Sequence, residues 1–168
     1  MIFVWLHVGD EIKRCIMPVE IERKFLVVGE FPRLEGVKMV QGYLCAEVGR
    51  NVRIRTEGER AVLTIKGGMV GITRQEFEYE IPIDDAKELL KMAAGSLVEK
   101  TRYFHREGTH TWEIDVFGGE NEGLVIAELE LGSEDEAFVR PDWVGEEVST
   151  DPRYSNSLLS IEPYSSWA

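Results

Sequence analysis

Between Val19 and Val28, Glu20, Glu22 and Lys24 alternate with Ile21, Arg23 and Phe25. Side chains on a β-strand point to opposite faces in turn, so these two acids and one base share a face. The pattern recurs. Arg53 with Arg55, Lys66 with Thr64, Arg74 with Glu76, Glu78 and Glu80, Lys100 with Arg102, Glu113 with Asp115, and Glu128 with Glu130 each fall on one face of an alternating run. Guanidinium and ammonium groups grip phosphate oxygens, and clustered carboxylates hold hard divalent cations such as Mg2+ or Mn2+. The chemistry these residue types imply, once gathered, is the binding of a metal-carrying polyphosphate.

The elements that must gather them are strands. Runs at 19–28, 37–46, 52–55, 61–67, 73–83, 97–106, 111–117 and 124–131 show period two, with a hairpin loop at 57–60. The period changes to helical over 84–94, where Asp85 and Glu88 suit a capping box and Gly95 suits the C-terminal cap. Residues 133–138 read as a short capped helix, 140–148 as irregular, and 155–161 as a final helical turn or two. About eight strands joined by short turns, with one helix after the fifth, predict a mainly β (α+β) fold, an antiparallel barrel or a strongly curved sheet. Two packings satisfy the alternation: charges inside with the apolar face under helices, or an apolar interior with charges in solvent. Burying either charge set alone costs several kcal/mol or more per ion, whereas acids and bases buried together offset each other.

Length and composition bound the partners. The chain has 168 residues, 43% hydrophobic and 30% charged, enough for one domain with a core. A net charge of -12 argues against nucleic acid and acidic membranes, so any anion is held by a local basic site. Cys15 and Cys45 are too few for a disulfide framework and lack metal-ligand spacing, which predicts free thiols and a cytoplasmic protein. The leader Met1-Ile2-Phe3-Val4-Trp5-Leu6 has no basic n-region and too short an apolar run for a signal or a membrane span. Met17, just before Pro18, is an alternative start, which makes 1–16 an extension and 17–168 the single domain. His7, His105 and His110 are scattered, and Gly67-Gly68 and Gly118-Gly119 read as turns rather than phosphate loops. Trp5, Trp143 and Trp167 lie outside the charged motifs.

Taken in order, Glu20-Ile21-Glu22-Arg23-Lys24, Gln41-Gly42-Tyr43-Leu44, Val52-Arg53-Ile54-Arg55, Leu63-Thr64-Ile65-Lys66, Arg74-Gln75-Glu76-Phe77-Glu78, Val98-Glu99-Lys100-Thr101-Arg102-Tyr103, Glu113-Ile114-Asp115-Val116-Phe117 and Ala127-Glu128-Leu129-Glu130 resemble the successive strand motifs of the CYTH superfamily, the triphosphate tunnel metalloenzymes. The first matches the ExExK signature, and the resemblance covers about residues 18 to 162. It implies an eight-stranded antiparallel closed tunnel with a charged interior. It also implies that Glu20, Glu22, Asp115, Glu128 and Glu130 bind metal, Mg2+ or Mn2+, with Glu76 and Glu78 in support. Arg53, Arg55, Lys66, Lys100 and Arg102, with Arg74, would grip phosphate. Lys24 and Tyr43 match in position a pair that acts in catalysis in the short bacterial enzymes. The implied reaction is metal-assisted hydrolysis of a phosphoanhydride bond in inorganic triphosphate or a small organic triphosphate, with no covalent enzyme intermediate. Two other readings fit the same motifs: a class IV type adenylyl cyclase, and a non-catalytic polyphosphate or nucleotide binder. A homodimer is compatible with all three. Arg153-Tyr154-Ser155-Asn156-Ser157-Leu158 resembles the family's closing segment, but Ser155 and Ser157 stand where many relatives carry a base, which leaves closure by charge to Arg153.

Overall fold

The computed structural model describes residues 2–8, 11–17, 19–47 and 49–167, the first two segments as backbone alone. Among the described residues, strands β1 (Ile2–Val8) and β2 (Glu11–Met17) form a two-stranded sheet of their own. The side chains of Trp5, His7 and Cys15, and Pro18 beside the alternative start, lie outside the described residues. The remaining alternating runs become β3 (Val19–Val27), β4 (Val37–Glu47), β5 (Arg50–Glu57), β6 (Arg60–Gly67), β7 (Thr73–Ile81), β8 (Ala94–Glu107), β9 (His110–Phe117) and β10 (Val125–Glu130). They hydrogen-bond, all antiparallel, in the order β3-β7-β6-β5-β4-β8-β9-β10. The ring closes because β10 also pairs with β3, from Ile126 opposite Leu26 to Glu130 opposite Glu22.

The last seam is short. β7 meets β3 over three register pairs, Val19 with Gln75 to Ile21 with Thr73. Beyond them the same edge of β3 is taken by a further strand, β11 (Val144–Glu147). Lys24 O there accepts from Val148 N at 2.8 Å, and Ser149 Oγ accepts from Lys24 N at 2.9 Å. One edge of the organising strand is therefore held by the C-terminal third of the chain.

The charges face inward because the apolar face of each strand finds cover outside. Helix α1 (Ile83–Leu90) lies over β4 to β6 and buries Ile54, Ala61 and Ala86 with Leu44, Leu63 and Leu90 around them. On the opposite wall Phe25, Trp112, Ile114, Ala127 and Leu129 pack under Phe138, Trp143 and Val144. Trp112 is the hub there, with edge-on ring contacts to Phe25 at 5.5 Å, Trp143 at 5.7 Å and Phe138 at 5.8 Å. At one end the inward positions turn apolar. Val98, Phe117, Leu124 and Ile126 close on Leu159 of α2 (Asn156–Leu159), which Ser155 caps by accepting from Leu158 N.

Four local expectations are corrected. No capping box forms at Asp85: α1 begins at Ile83 behind Pro82, whose fixed φ suits a helix entry, and no side chain caps it. Gly95 is not the helix cap but belongs to β8, with φ of 77°, and a Cβ there would stand 2.4 Å from Ser160 O. Residues 133–138 form a turn rather than a helix, because the Glu136 carboxylate accepts from Gly132 N and faces His110. The segment 140–148, expected to be irregular, contributes β11.

Candidate functional site

Inside the barrel lies a cavity of about 700 Å³, and the inward faces of β3 to β10 decide what it can hold. Glu20, Glu22 and Lys24 of β3, Tyr43 of β4, Arg53 and Arg55 of β5, Lys66 of β6, Arg74, Glu76 and Glu78 of β7, Arg102 of β8, and Glu128 and Glu130 of β10 all line it. Thirteen of the fifteen site residues expected from the sequence thus share one cavity.

The other two, Lys100 and Asp115, share the inward faces of β8 and β9 with Arg102 and Glu113 but are enclosed by their neighbours and do not line the cavity. Asp115 is fully enclosed and accepts from Lys100 Nζ and, at 2.7 Å each, from Nε and Nη2 of Arg102. The same Nη2 also donates to Glu128 Oε2 at 2.7 Å, and Nη1 donates to Glu113. Arg102 is therefore held by three carboxylates while its guanidinium still borders the cavity. Glu113 also lines the cavity and was not among the expected site residues. Its parity with Asp115 was the available signal.

On β3, Glu20 accepts from Lys66 Nζ at 2.9 and 3.0 Å and from Arg74 Nε at 2.5 Å. Lys24 Nζ donates to Glu22 and to Glu128. Lys66 also pairs with Glu76 at 2.9 Å. Arg53 is looser, with its Glu76 and Glu78 partners both at 3.9 Å. Tyr43 is the register partner of Arg53 on the neighbouring strand. Lys24 and Tyr43 thus face one cavity, with Lys24 engaged by carboxylates and Tyr43 beside a guanidinium.

The charges follow from these contacts. Burial works against the Lys24 ammonium, but Glu128 and Glu22 hold its pKa above the ordinary lysine value. Lys24 is therefore a cation and a donor, not a base. Burial pushes Glu20 up, yet Lys66 and Arg74 hold it well below the usual carboxylate range. Glu128 behaves likewise under Lys24, Lys100 and Arg102. Burial raises the Tyr43 phenol despite Arg53, so it keeps its proton.

Lys100 goes the other way. Burial and the neighbouring Arg102 lower it to about 8 from an ordinary 10.5. Between those values the unfolded chain binds the additional proton, so this group adds stability as pH rises from about 8. Urea midpoints measured at about pH 7.5 and about pH 9.5 should show wild type gaining on Lys100→Met by on the order of 1 kcal/mol. Parallel midpoints at both values would contradict the shift.

One mouth of the cavity carries a cluster of small polar residues beside the charged Glu47, Arg50 and Asp151. Asn51, Ser149, Thr150, Ser155, Asn156 and Ser157 line it, together with Gly67 and Gly68 of the β6–β7 turn. The carbonyl oxygens of Asn51 and Asn156 are buried there without a partner among the described residues. These residues converge only when the C-terminal segment folds back on the barrel, so no local spacing announces them. Arg153 donates to Asp151 and lies over Trp167, 5.4 Å from its ring, away from the lining.

Among the described residues no three carboxylate, imidazole or thiol groups converge as a preformed metal site. Glu20, Glu22 and Glu130 line the same cavity. Glu130 faces Glu22 across β3 and β10, and no cation pairs with it among the described residues. Burial raises its carboxyl, and Glu20 and Glu22 raise it further. Three hard oxygen donors that repel each other fit a divalent cation.

An antiparallel barrel closed on itself, with acids and bases paired across its interior, defines a charged-tunnel protein, and the CYTH domain model matches residues 18–157. The chain belongs to the CYTH domain family. It is similar to an inorganic triphosphatase of Acetivibrio thermocellus, 48% identical over 152 residues, 88% of this chain and 97% of that one. It is also similar to an inorganic triphosphatase of Nitrosomonas europaea, 40% identical over 148 residues, 84% of this chain and 97% of that one. A crystal structure of an inorganic triphosphatase matches at a TM-score of 0.62 and 37% identity, covering 84% of this chain and 94% of the other. A Pyrococcus horikoshii protein, 18% identical with a TM-score of 0.55, shares the fold over 69% of this chain and 80% of its own.

Proposed function

We propose that this protein hydrolyses a phosphoanhydride bond of inorganic triphosphate bound within the barrel. The observation that carries the reading is the pairing of two complementary charge sets on one cavity wall. Arg53, Arg55, Lys66, Arg74 and Arg102 match the non-bridging oxygens of a phosphate chain, and the acids they now pair with match the cation such a chain carries. The relatives described as inorganic triphosphatases support the same substrate.

On binding, phosphate oxygens replace carboxylates as partners of the basic groups, and Glu20, Glu22 and Glu130 are left to hold Mg2+ or Mn2+. When bound, that cation supplies positive charge to the phosphate oxygens. The chain's own residues do the rest. Arg102, fixed by Asp115, presents its guanidinium at a set angle. The Lys24 ammonium and the Tyr43 hydroxyl are donors that orient water and stabilise charge on the transferring phosphoryl group. A loose phosphoryl transition state asks little of a general base, which suits a site whose lysine stays protonated. A cytoplasmic enzyme acting on a small molecule, as monomer or homodimer, agrees with the net charge of -12 and the free thiol of Cys45. Among the described residues no helix is long and apolar enough to cross a membrane.

Phosphate release from inorganic triphosphate, ATP and thiamine triphosphate, each with Mg2+, Mn2+ or EDTA, tests the proposal. Release is expected to be fastest from inorganic triphosphate and lost in EDTA. Cyclic AMP formed from ATP would favour a cyclase, and tight binding without turnover would favour a binding module.

A further inference from the structure

Gln41 of β4 is 0% exposed, and neither its Nε2 nor its Oε1 meets a hydrogen-bond partner among the described residues. An unpaired carboxamide in an interior is costly, and native proteins keep few such groups without a bound partner or a role. The local packing does not ask for an amide. Its register neighbour on β8 is Val98, and the buried Met39 lies two residues back on the same face, so methionine would fill the space.

Its neighbour on the other side is Arg55, and Tyr43 opposite Arg53 follows two residues on, all on the inward face. The Nε groups of Arg53 and Arg55 are also buried without a hydrogen-bond acceptor, although Arg55 Nε stands 2.6 Å from Glu57 Oε1 as an ion pair. An acceptor without a donor thus sits on the strand beside two guanidinium groups, Arg53 with an Nε that has no acceptor among the described residues and Arg55 with only Glu57 and a long contact to Glu78. A guanidinium that turns two N–H groups to a phosphate leaves others facing its own wall.

We propose that Gln41 is a positioning residue: with phosphate in the barrel, its Oε1 accepts from the Arg55 guanidinium and holds that group toward the substrate. This rests on the triphosphatase reading for the identity of the ligand. The test is calorimetric binding of tripolyphosphate to wild type, Gln41→Met, Arg55→Ala and the double variant, with melting temperatures for each. Gln41→Met should melt no lower than wild type, because it removes a buried unpaired amide, yet bind about tenfold more weakly. In the Arg55→Ala background the same change should cost almost nothing, since the group it positions is gone.

Wild-type affinity in Gln41→Met, a lower melting temperature, or losses that simply add in the double variant would each overturn the proposal. Wild type that binds tripolyphosphate without hydrolysing it would refute the triphosphatase reading and leave the binding cycle to decide the role of Gln41. Failure of wild type to bind tripolyphosphate would overturn both.

Discussion

Arg102→Met should lower the stability of the barrel by about 3–5 kcal/mol, the range seen when one partner of a buried ion pair is removed. Three acids lose their common cation at once. Asp115 keeps only Lys100, Glu128 keeps Lys24, and Glu113 keeps no partner among its described contacts. Burial, the largest influence on Glu113, already raises its carboxyl while Arg102 opposes it, so loss of Arg102 raises it further. The unfolded chain has no such shift. Stability of the variant relative to wild type should therefore recover as pH falls toward the carboxylate range, where the orphaned acids take up protons. Urea titrations at neutral and mildly acidic pH check both statements, and Arg102→Met with Asp115→Asn should regain most of the loss by removing the buried charge as well. An unchanged midpoint at neutral pH would show that Lys100 alone satisfies Asp115.

Lys24→Ala should reduce turnover of inorganic triphosphate by about 10²- to 10³-fold, the usual cost of deleting one preorganised donor at a charged transition state. The fold should survive the change, because Glu128 retains Arg102 and Glu22 lies at the partly open cavity wall. The effect should fall on kcat more than on KM, since five other bases still grip the chain. Steady-state kinetics beside a thermal melt separate the two. A variant with wild-type kcat would remove Lys24 from the mechanism, and one that lost its fold would make it a structural cation.

Most of the strand framework was legible because alternation is a local property. Glu20, Glu22 and Lys24 had to share a face, as did Glu128 and Glu130, whatever lay around them. Which face turned inward was not local. It depends on α1 covering Ile54 and on Phe138, Trp143 and Val144 covering Phe25 and Trp112, contacts made by residues far away in the chain. Family resemblance, not periodicity, chose the charged interior beforehand.

The misses have physical causes of the same kind. Val144 to Glu147 is too short and too polar to show a period, and becomes β11 only because β3 offers a vacant edge past Ile21. Asp85 and Glu88 had capping spacing, but Pro82 had already set the helix entry. That Asp115, the register partner of Arg102, is enclosed by Lys100 and Arg102 depends on cross-strand partners that no local spacing shows. Glu113, one alternation earlier, reaches the cavity instead.

The claim on which the account depends is that the acids and bases lining this barrel exchange each other for a cation and a phosphate chain. Anomalous diffraction from crystals grown with Mn2+ and a non-hydrolysed triphosphate analogue tests it directly. The account predicts a manganese peak among Glu20, Glu22 and Glu130, with phosphate density along Arg53, Arg55, Lys66 and Arg102. Manganese and phosphate found only outside the barrel, with the Lys66–Glu20 and Lys24–Glu128 pairs intact, would contradict it.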